Sequence, residues 1–314
     1  MTALTDSTAA EAAPRQTGAA SHAIDRVGVP GWLQAMPFGL VFLFFFVIPL
    51  ILVVIVSFWD YNDYEMLPSF TARSYTENFE GCLVKLPDLC TILATYASTV
   101  KFCFIVWLTT LIIGFTIAYF LAFYVRTVTM QMVLFLVCTI PFWTSNVIRM
   151  ISWIPLLGRN GLVNVALTRA HIVDKPVEWL LYSPFSVGLA FTHLFTFFMV
   201  VPIFNSMMRI DHRLIEAAYD SGASAPQTLW NLIVPLSKPG IVIGSIFVVT
   251  IVMGDFVTIG VMGGQQIASV GKIINTQMTA LQFPPAAANS VILLVVVLFV
   301  IWALSRLVDI RKEL

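Results

Sequence analysis

The chain has 314 residues, of which 59% are apolar and only 11% are charged, whereas soluble proteins average about 45–50% apolar and about 25% charged residues. Its 17 basic and 17 acidic side chains balance to a formal net charge of zero, which argues against nucleic acid as a partner. A soluble domain with a mean hydropathy of +0.89 would expose large apolar patches. The composition therefore predicts an integral membrane protein with lipid around most of its surface.

Residues 1–30 are rich in Ala, Ser and Thr and carry scattered charges, so they cannot bury a core. We expect them to form a disordered cytoplasmic tail. The apolar run of residues 36–59 contains 24 residues and is not followed by a small-residue cleavage site. It is too long for the hydrophobic region of a signal peptide and is expected to stay in the membrane as the first span.

Charged residues divide the rest of the chain into apolar stretches, because an ionisable side chain near the bilayer centre costs about 2.5–3.5 kcal/mol or more. Each stretch is long enough for the ~20 residues of a membrane-spanning helix. We therefore predict an all-α membrane domain over residues 31–314 with six transmembrane helices. The predicted spans are residues 36–59, 102–125, 128–150, 184–208, 240–262 and 286–306.

Residues 60–98, between the first two spans, carry six acidic side chains. Basic residues barely favour either orientation under the positive-inside rule, so we predict the orientation from this acidic loop. We expect it to face outwards, which places both termini in the cytoplasm. Cys82 and Cys90 lie in this loop, where an oxidising compartment would permit a disulfide. Two free thiols are the alternative. Cys103 and Cys138 fall within spans and are expected to pack as small apolar groups.

The sequence contains no His or Cys cluster with metal-ligand spacing and no glycine-rich phosphate loop of the Walker type. We therefore expect that the chain itself binds no metal and no cofactor, and that it does not bind ATP in that way.

Residues 209–239 form a charged, Ala-rich insert between spans four and five. Apolar residues at helical spacing predict a short amphipathic helix over residues 211–221. Gly222 is placed to end this helix, because glycine readily adopts the left-handed conformation found just after helix C-termini.

A second helix is predicted in the same insert. Ser224 is suited to cap it, with Pro226 in its first turn. Pro235 and Pro239 are expected to stop it and to return the chain to the bilayer. The insert is thus interpreted as a rigid helix-turn-helix. It either rests on lipid headgroups or docks a soluble partner.

At these residues the chain resembles the permease subunits of type I ABC importers. Their cytoplasmic EAA loop has Glu-Ala-Ala, a Gly about four residues later, and an ending of a hydrophobic residue, any residue and Pro. The matching residues here are Glu216, Ala217, Ala218, Gly222 and Ile233-Val234-Pro235.

Other segments resemble the spermidine/putrescine branch of that family. They are residues 141–145 (PFWTS) with Arg149 and Trp153, residues 157–162 (LGRNGL), and residues 254–257 (GDFV) followed by Gly263 and Gly264. The resemblance covers residues 35–310. Asp255 departs from it, because that branch commonly has Glu there, and the long loop with its cysteines is also unusual.

The resemblance implies a bacterial inner-membrane subunit that forms half of a translocation pathway with a second, homologous permease. A periplasmic binding protein would deliver the solute, and a dimer of ATPase subunits, which bind ATP and Mg²⁺, would hydrolyse ATP. The chain would be a transport subunit and not an enzyme. The implied solutes are polyamines, spermidine or putrescine, or a related small amino-bearing compound. The residues implied in coupling to the ATPase are Glu216, which would anchor the loop, and Ala217, Ala218, Gly222, Pro226 and Pro235.

Asp255 is the one formal charge well inside a predicted span, and such a group is a functional-site hypothesis by default. It would attract a cationic solute, or it would hold helices together, with Arg149 as one candidate partner. Trp143 and Trp153 would offer aromatic faces to amines or anchor the chain at the membrane interface. Arg149 either lines the pathway with them or reaches the headgroups. His193 is expected to form an interhelical hydrogen bond.

A different class of function is compatible with the same spans. A self-sufficient secondary transporter or channel, driven by an ion gradient, would use Asp255 as its proton or cation site. The Glu-Ala-Ala insert argues against this alternative, because such a transporter has no ATPase to dock.

Overall fold

The computed structural model describes residues 31–62, 66–79, 82, 90–264 and 267–306. The secondary structure of these residues is helical apart from one two-stranded antiparallel hairpin. The chain divides into two units, with the boundary between Ile51 and Leu52. The first helix, α1, comprises Gly31–Phe42, a π-helical turn Leu43–Val47 and Ile48–Val56.

After α1 come the short strands β1 (Asp60–Tyr61) and β2 (Met66–Leu67), which pair with Asp60 opposite Leu67. The described helices then follow in the order α2 (Arg73–Phe79), α3 (Thr91–Tyr124), α4 (Val128–Trp143), α5 (Asn146–Ile151), α6 (Ile154–Leu157), α7 (Leu162–Arg169), α8 (Pro184–Met207), α9 (His212–Asp220), α10 (Ala225–Leu236), α11 (Lys238–Gly254), α12 (Val257–Met262), α13 (Val270–Thr279) and α14 (Phe283–Arg306).

Within the described ranges, four helical segments are long and apolar enough to cross a membrane: Ala35–Val56, Thr91–Tyr124, Glu178–Met207 and Phe283–Arg306. Two bent pairs of helices raise the number to six if each pair is one span. These are Val128–Trp143 with Asn146–Arg169, bent by 91°, and Ala225–Leu236 with Lys238–Gly254, bent by 65°. The prediction of a helical membrane protein is thus confirmed, and the described helices allow four to six spans.

The third predicted span, residues 128–150, is not one straight helix. α4 ends in a 3₁₀ turn that contains Pro141, and Thr144 and Ser145 adopt extended backbone conformations with ψ of 152° and 133°. The chain bends before α5 begins at Asn146. Proline in the last turn and two extended residues interrupt the i→i−4 hydrogen bonds that a continuous helix needs.

The fifth predicted span, residues 240–262, is also interrupted. α11 ends at Gly254, Asp255 is extended with ψ of 122°, and the separate helix α12 begins at Val257. Hydropathy does not reveal this break, because the residues on both sides of it are apolar.

Two further boundaries differ from the sequence interpretation. α3 begins at Thr91, eleven residues before residue 102, where the second span was predicted to begin, so Lys101 lies within the helix. α10 continues past Pro235 to Leu236, after a π-helical turn over Leu229–Ile233. The wider turn directly before Pro235 accommodates the proline ring that would otherwise end the helix.

Helices α3, α8 and α11 pack against one another at the centre of the second unit. Met199 of α8 is fully buried where the three helices meet. A Cβ added to Gly114 of α3 would lie 2.9 Å from Met199 Cγ, and one added to Gly244 of α11 would lie 2.7 Å from Met199 Sδ. Small residues thus let the backbones approach closely, as is common between membrane helices.

Replacing Gly244 with Leu is expected to destabilise the protein by about 1–3 kcal/mol, because the larger side chain overpacks the contact with Met199. The melting temperature in detergent should fall by about 2 °C or more. Gly188→Leu is the matched control, because a Cβ at Gly188 meets no atom within 4 Å. An equal loss of stability in both variants would contradict this account of the packing.

The hairpin and α2 form a polar cluster, which we call the hairpin cap and define by Asp60, Tyr61, Arg73 and Glu77. Arg73 bonds Asp60 at 3.2 Å and Glu77 at 2.6 Å, and the Tyr61 hydroxyl donates to Glu77 at 2.6 Å. The hydrogen bonds from Tyr61 and Arg73 hold the pKa of Glu77 below its usual value. Burial, followed by the bond to Glu77, raises the pKa of Tyr61 to about 12.

Acidification is expected to loosen the hairpin cap. Because the folded-state pKa of Glu77 is lowered, its stabilisation is fully present above the unfolded-state pKa and is lost as pH falls through the folded-state pKa. Hydrogen exchange of α2, corrected for the intrinsic exchange rate, should show less protection at pH 3 than at pH 7. Glu77→Gln should show the reduced protection already at pH 7 and little further change on acidification.

Candidate functional site

The insert between α8 and α11 contains two helices, α9 and α10. Asp211 precedes α9, and its Oδ1 accepts a hydrogen bond from the Arg213 N–H at 3.0 Å. This bond satisfies one of the free donors at the helix N-terminus. The helix covers His212–Asp220, close to the range of residues 211–221 expected from the sequence.

Gly222 follows α9 in the left-handed conformation, with φ of +83°. The Gly222 N–H donates to the Tyr219 carbonyl at 2.9 Å, and the Ala223 N–H donates to the Ala218 carbonyl at 3.0 Å. These bonds satisfy carbonyl groups at the end of α9. The angle between α9 and α10 therefore depends on a backbone conformation that suits glycine.

Ser224 precedes α10, and its N–H donates to Gln227 Oε1 at 2.8 Å. Pro226 lies in the first turn of α10. Thr228 and Ile233 are buried, whereas Trp230 is 68% exposed. The helix thus presents one face to the protein and leaves a large aromatic ring uncovered.

Most of the proposed coupling residues lie on the surface of the insert. Glu216, Ala217, Gly222, Pro226 and Pro235 are exposed, and Ala218 is half-buried. Among the described residues, Glu216 forms no salt bridge, so no basic partner for its carboxylate is found in this part of the chain.

Asp255 lies at the break between α11 and α12. Its Oδ1 accepts a hydrogen bond from the Thr258 N–H at 2.7 Å, and its Oδ2 accepts one from the Thr258 hydroxyl at 2.9 Å. Within the described residues no ion pair joins Asp255 to Arg149. The half-buried carboxylate therefore caps the short helix α12, and its two oxygens, with about four lone-pair sites between them, can accept further hydrogen bonds.

Arg149 projects from α5 into the protein and is only 7% exposed, so it does not extend towards headgroups. It donates from Nη2 to Asn146 Oδ1, whereas its Nε is buried without a hydrogen-bond partner in the structure. Together with His193, it lines a cavity of about 350 Å³. We call this the Arg149 cavity. Its other lining residues are Ile113, Ile117, Cys138, Pro141, Phe142, Leu189, Thr192, Thr196, Phe197 and Val200.

Trp153 Nε1 donates to His193 Nδ1 at 3.1 Å, so Trp153 braces the wall of the Arg149 cavity. The bond joins the segment between α5 and α6 to α8, and His193 makes the interhelical contact expected of it. Trp143 is 81% exposed and does not line the cavity. The structure therefore brings Arg149, Trp153 and His193 together and leaves Trp143 on the surface.

A second cavity, of about 540 Å³, is lined by Lys101, the residue directly before the predicted second span over residues 102–125. We call it the Lys101 cavity. It lies between α3 and α8, and its other lining residues are Ser98, Phe102, Ile105, Pro184, Phe185, Gly188, Ile267 and Ala268. The sequence signal that was missed is the helical pattern of the residues before Lys101. It indicates that the helix begins earlier and that Lys101 lies within it.

Cys82 and Cys90 are joined by a disulfide, with their Cα atoms 4.8 Å apart, and Cys90 directly precedes α3. Cys103 and Cys138 are free, and Cys103 is buried. In the ranges that the structure describes, no group of three or more His, Cys, Asp or Glu side chains is arranged to hold a metal ion.

Comparison with known proteins assigns the chain to one family. The model of the family "Binding-protein-dependent transport system inner membrane component" matches residues 110–311. The chain is 29% identical over 293 residues to the spermidine/putrescine transport system permease protein PotB of Escherichia coli (strain K12), covering 92% of this chain and 99% of that relative. PotB of Salmonella typhimurium (strain SL1344) is 34% identical over 206 residues, which is 64% of this chain and 71% of the relative.

Solved structures share the fold at lower identity. A bacterial ABC transporter involved in the import of the acidic polysaccharide alginate matches with a TM-score of 0.68 and 15% identity, covering 88% of this chain and 93% of that chain. The bacterial alginate ABC transporter in complex with alginate pentasaccharide-bound periplasmic protein matches with a TM-score of 0.66 and 14% identity, covering 90% and 94%. At these identities the likeness concerns the fold alone.

Proposed function

We propose that this chain, which belongs to the family of binding-protein-dependent transport system inner membrane components, carries polyamines or another small amino-bearing solute across the membrane. It is a permease subunit of an ABC importer. The family match over residues 110–311, which includes the whole insert between α8 and α11, is the observation that carries this conclusion.

The solute class is inferred from relatives. PotB proteins from several bacteria are named as spermidine/putrescine transport system permeases and cover most of this chain. The geometry at Asp255 supports an amino-bearing solute, because the carboxylate oxygens retain lone pairs after bonding to Thr258 and an ammonium group is a matching donor.

The partners follow from the mode of transport. A periplasmic binding protein would deliver the solute to the outer face, a second homologous permease would complete the pathway, and two ATPase subunits would bind ATP and Mg²⁺ on the cytoplasmic side. In this arrangement the chain lies in a bacterial inner membrane with both termini in the cytoplasm, and it catalyses no reaction itself.

The insert is proposed to transmit force from the ATPase subunits. α10 would sit in a groove of an ATPase subunit, with the exposed Trp230 as an apolar contact. When ATP closes the ATPase dimer, the groove would move and displace α10. Because α10 continues through Pro235 to Leu236 and is followed almost directly by α11, the displacement would reach the membrane.

Reconstitution tests this proposal. Proteoliposomes that contain the chain, its second permease and the ATPase subunits should take up solute only with ATP and with the loaded binding protein. Liposomes that contain the chain alone should show no uptake driven by a proton or sodium gradient. Gradient-driven uptake by the chain alone would instead support a secondary transporter. Solute uptake without ATP, both in proteoliposomes with the full complex and in liposomes with the chain alone, would refute the importer.

A further inference from the structure

The Lys101 cavity and the Arg149 cavity lie at two successive levels of the contact between α3 and α8, and we call this pair of cavities the groove. The two helices run parallel, because Lys101 and Ile105 face Phe185 and Gly188, whereas Ile113 and Ile117 face the stretch from Leu189 to Val200. The hydroxyl groups of Thr109 and Thr192, 2.9 Å apart, join the helices between the two levels. In the proposed orientation, the Lys101 cavity is nearer the outer face of the membrane than the Arg149 cavity.

The Arg149 cavity presents hydrogen-bond donors. The guanidinium of Arg149 is permanently charged and cannot accept a hydrogen bond, and its Nε is buried without a partner in the structure. His193 accepts the Trp153 N–H at Nδ1, so in the neutral ring the proton lies on Nε2, which is then a donor. The cavity is therefore suited to a ligand that accepts hydrogen bonds and carries negative charge.

The described part of the chain does not supply that charge. None of its ion pairs involves Arg149 or Lys101, and neither cavity has an Asp or Glu in its lining. The Asp255 carboxylate is bound to Thr258. Arg149 is buried, and a buried cation without a counter-ion is costly in a membrane protein, so the Arg149 cavity is suited to an anionic group.

We propose that the groove binds the carboxylate of the transported solute, and that the solute therefore carries an acidic group in addition to its amino group. Lys101 attracts the carboxylate and Arg149 holds it, with His193 as a second donor. The cavity volumes, about 540 and 350 Å³, are in the range that holds small molecules. This inference rests on the proposed importer function and narrows its substrate class.

The first test identifies the solute. Calorimetric titration of the partner binding protein with putrescine, spermidine, 4-aminobutanoate and basic amino acids should show tighter binding of a compound with both an amino group and a carboxylate. Binding of polyamines alone would overturn the inference and leave the importer function intact. Absence of ATP-driven uptake for any solute that the binding protein holds would instead refute the importer function.

The second test measures uptake of the identified solute by the reconstituted complex. Arg149→Gln should lower the rate at least about tenfold, because a buried charge-assisted contact is lost, and Arg149→Lys should retain more. Lys101→Gln should raise the concentration of loaded binding protein that gives half-maximal uptake. The Lys101 side chain is exposed, so it can be replaced without disturbing the core. Arg159→Gln is the matched control, because Arg159 is exposed and its ion pair among the described residues is an exposed one with Glu178 at 3.8 Å.

Assembly with the partner subunits and the melting temperature in detergent establish that the Arg149 variants are folded. If they are not folded, the uptake of Lys101→Gln decides the test. Unchanged uptake in both Arg149→Gln and Lys101→Gln would overturn the inference. So would native mass spectrometry that shows one bound anionic lipid in the wild-type protein and none in Arg149→Gln, because a lipid phosphate would then be the ligand of Arg149.

Discussion

Replacement of Gly222 with Val is expected to abolish solute uptake while leaving the importer assembled in the membrane. Gly222 has φ of +83°, a conformation that is a true outlier for a β-branched residue and costs about 1–2 kcal/mol. A Cβ at this position meets no atom within 4 Å, so the effect comes from the backbone. The chain would relax to negative φ and change the angle between α9 and α10.

The measurement for Gly222→Val is ATP hydrolysis and uptake in the same proteoliposomes. Hydrolysis should continue at its basal rate, whereas stimulation by the loaded binding protein and uptake should both be lost. Gly222→Asn is the control, because asparagine tolerates the left-handed conformation, and it should retain most of the uptake. Normal uptake by Gly222→Val would rule out a coupling role for this turn.

Replacement of Asp255 with Asn is expected to lower uptake of an amino-bearing solute at least about tenfold without unfolding the protein. Asparagine caps helices about as well as aspartate, so its Oδ1 can still accept the Thr258 N–H. The neutral amide no longer attracts an ammonium group, and hydrogen bonds to a charged partner contribute about 1.5–3 kcal/mol. The loss should therefore appear in transport and not in stability.

Asp255→Ala separates the two roles of the carboxylate. It removes the cap as well as the charge, so thermal stability should fall by about 1 kcal/mol and uptake should fall at least as far as in Asp255→Asn. Wild-type uptake in Asp255→Asn together with reduced uptake in Asp255→Ala would show that Asp255 only caps α12.

Local signals in the sequence predicted much of the insert. The Glu-Ala-Ala motif and Gly222 pointed to the family that the comparisons establish. The helix expected over residues 211–221 extends over His212–Asp220 in the structure, so each predicted end is within one residue of the observed end. Such signals are readable because a cap, a turn residue and an amphipathic pattern act on neighbouring residues. Pro235 was misjudged because the π-turn that accommodates it has no simple sequence signature.

The positions of charges within the fold were less predictable. The second span was predicted to begin after Lys101, at residue 102, because a lone lysine in an apolar run costs energy in lipid, yet Lys101 lies within α3 beside a cavity. Asp255 was read as an isolated charge inside a helix, whereas the helix is broken there and Thr258 binds the carboxylate. In each case the sequence revealed the unusual residue and not its surroundings.

The sequence by itself determined that this protein lies in a membrane, that it is helical, and where the insert occurs, because hydropathy and helix-end signals are sums or patterns over adjacent residues. Only the tertiary structure placed Arg149 and Trp153 beside His193, about 40 residues away, and aligned the Lys101 and Arg149 cavities along α3 and α8. Those contacts depend on how helices bend and pack.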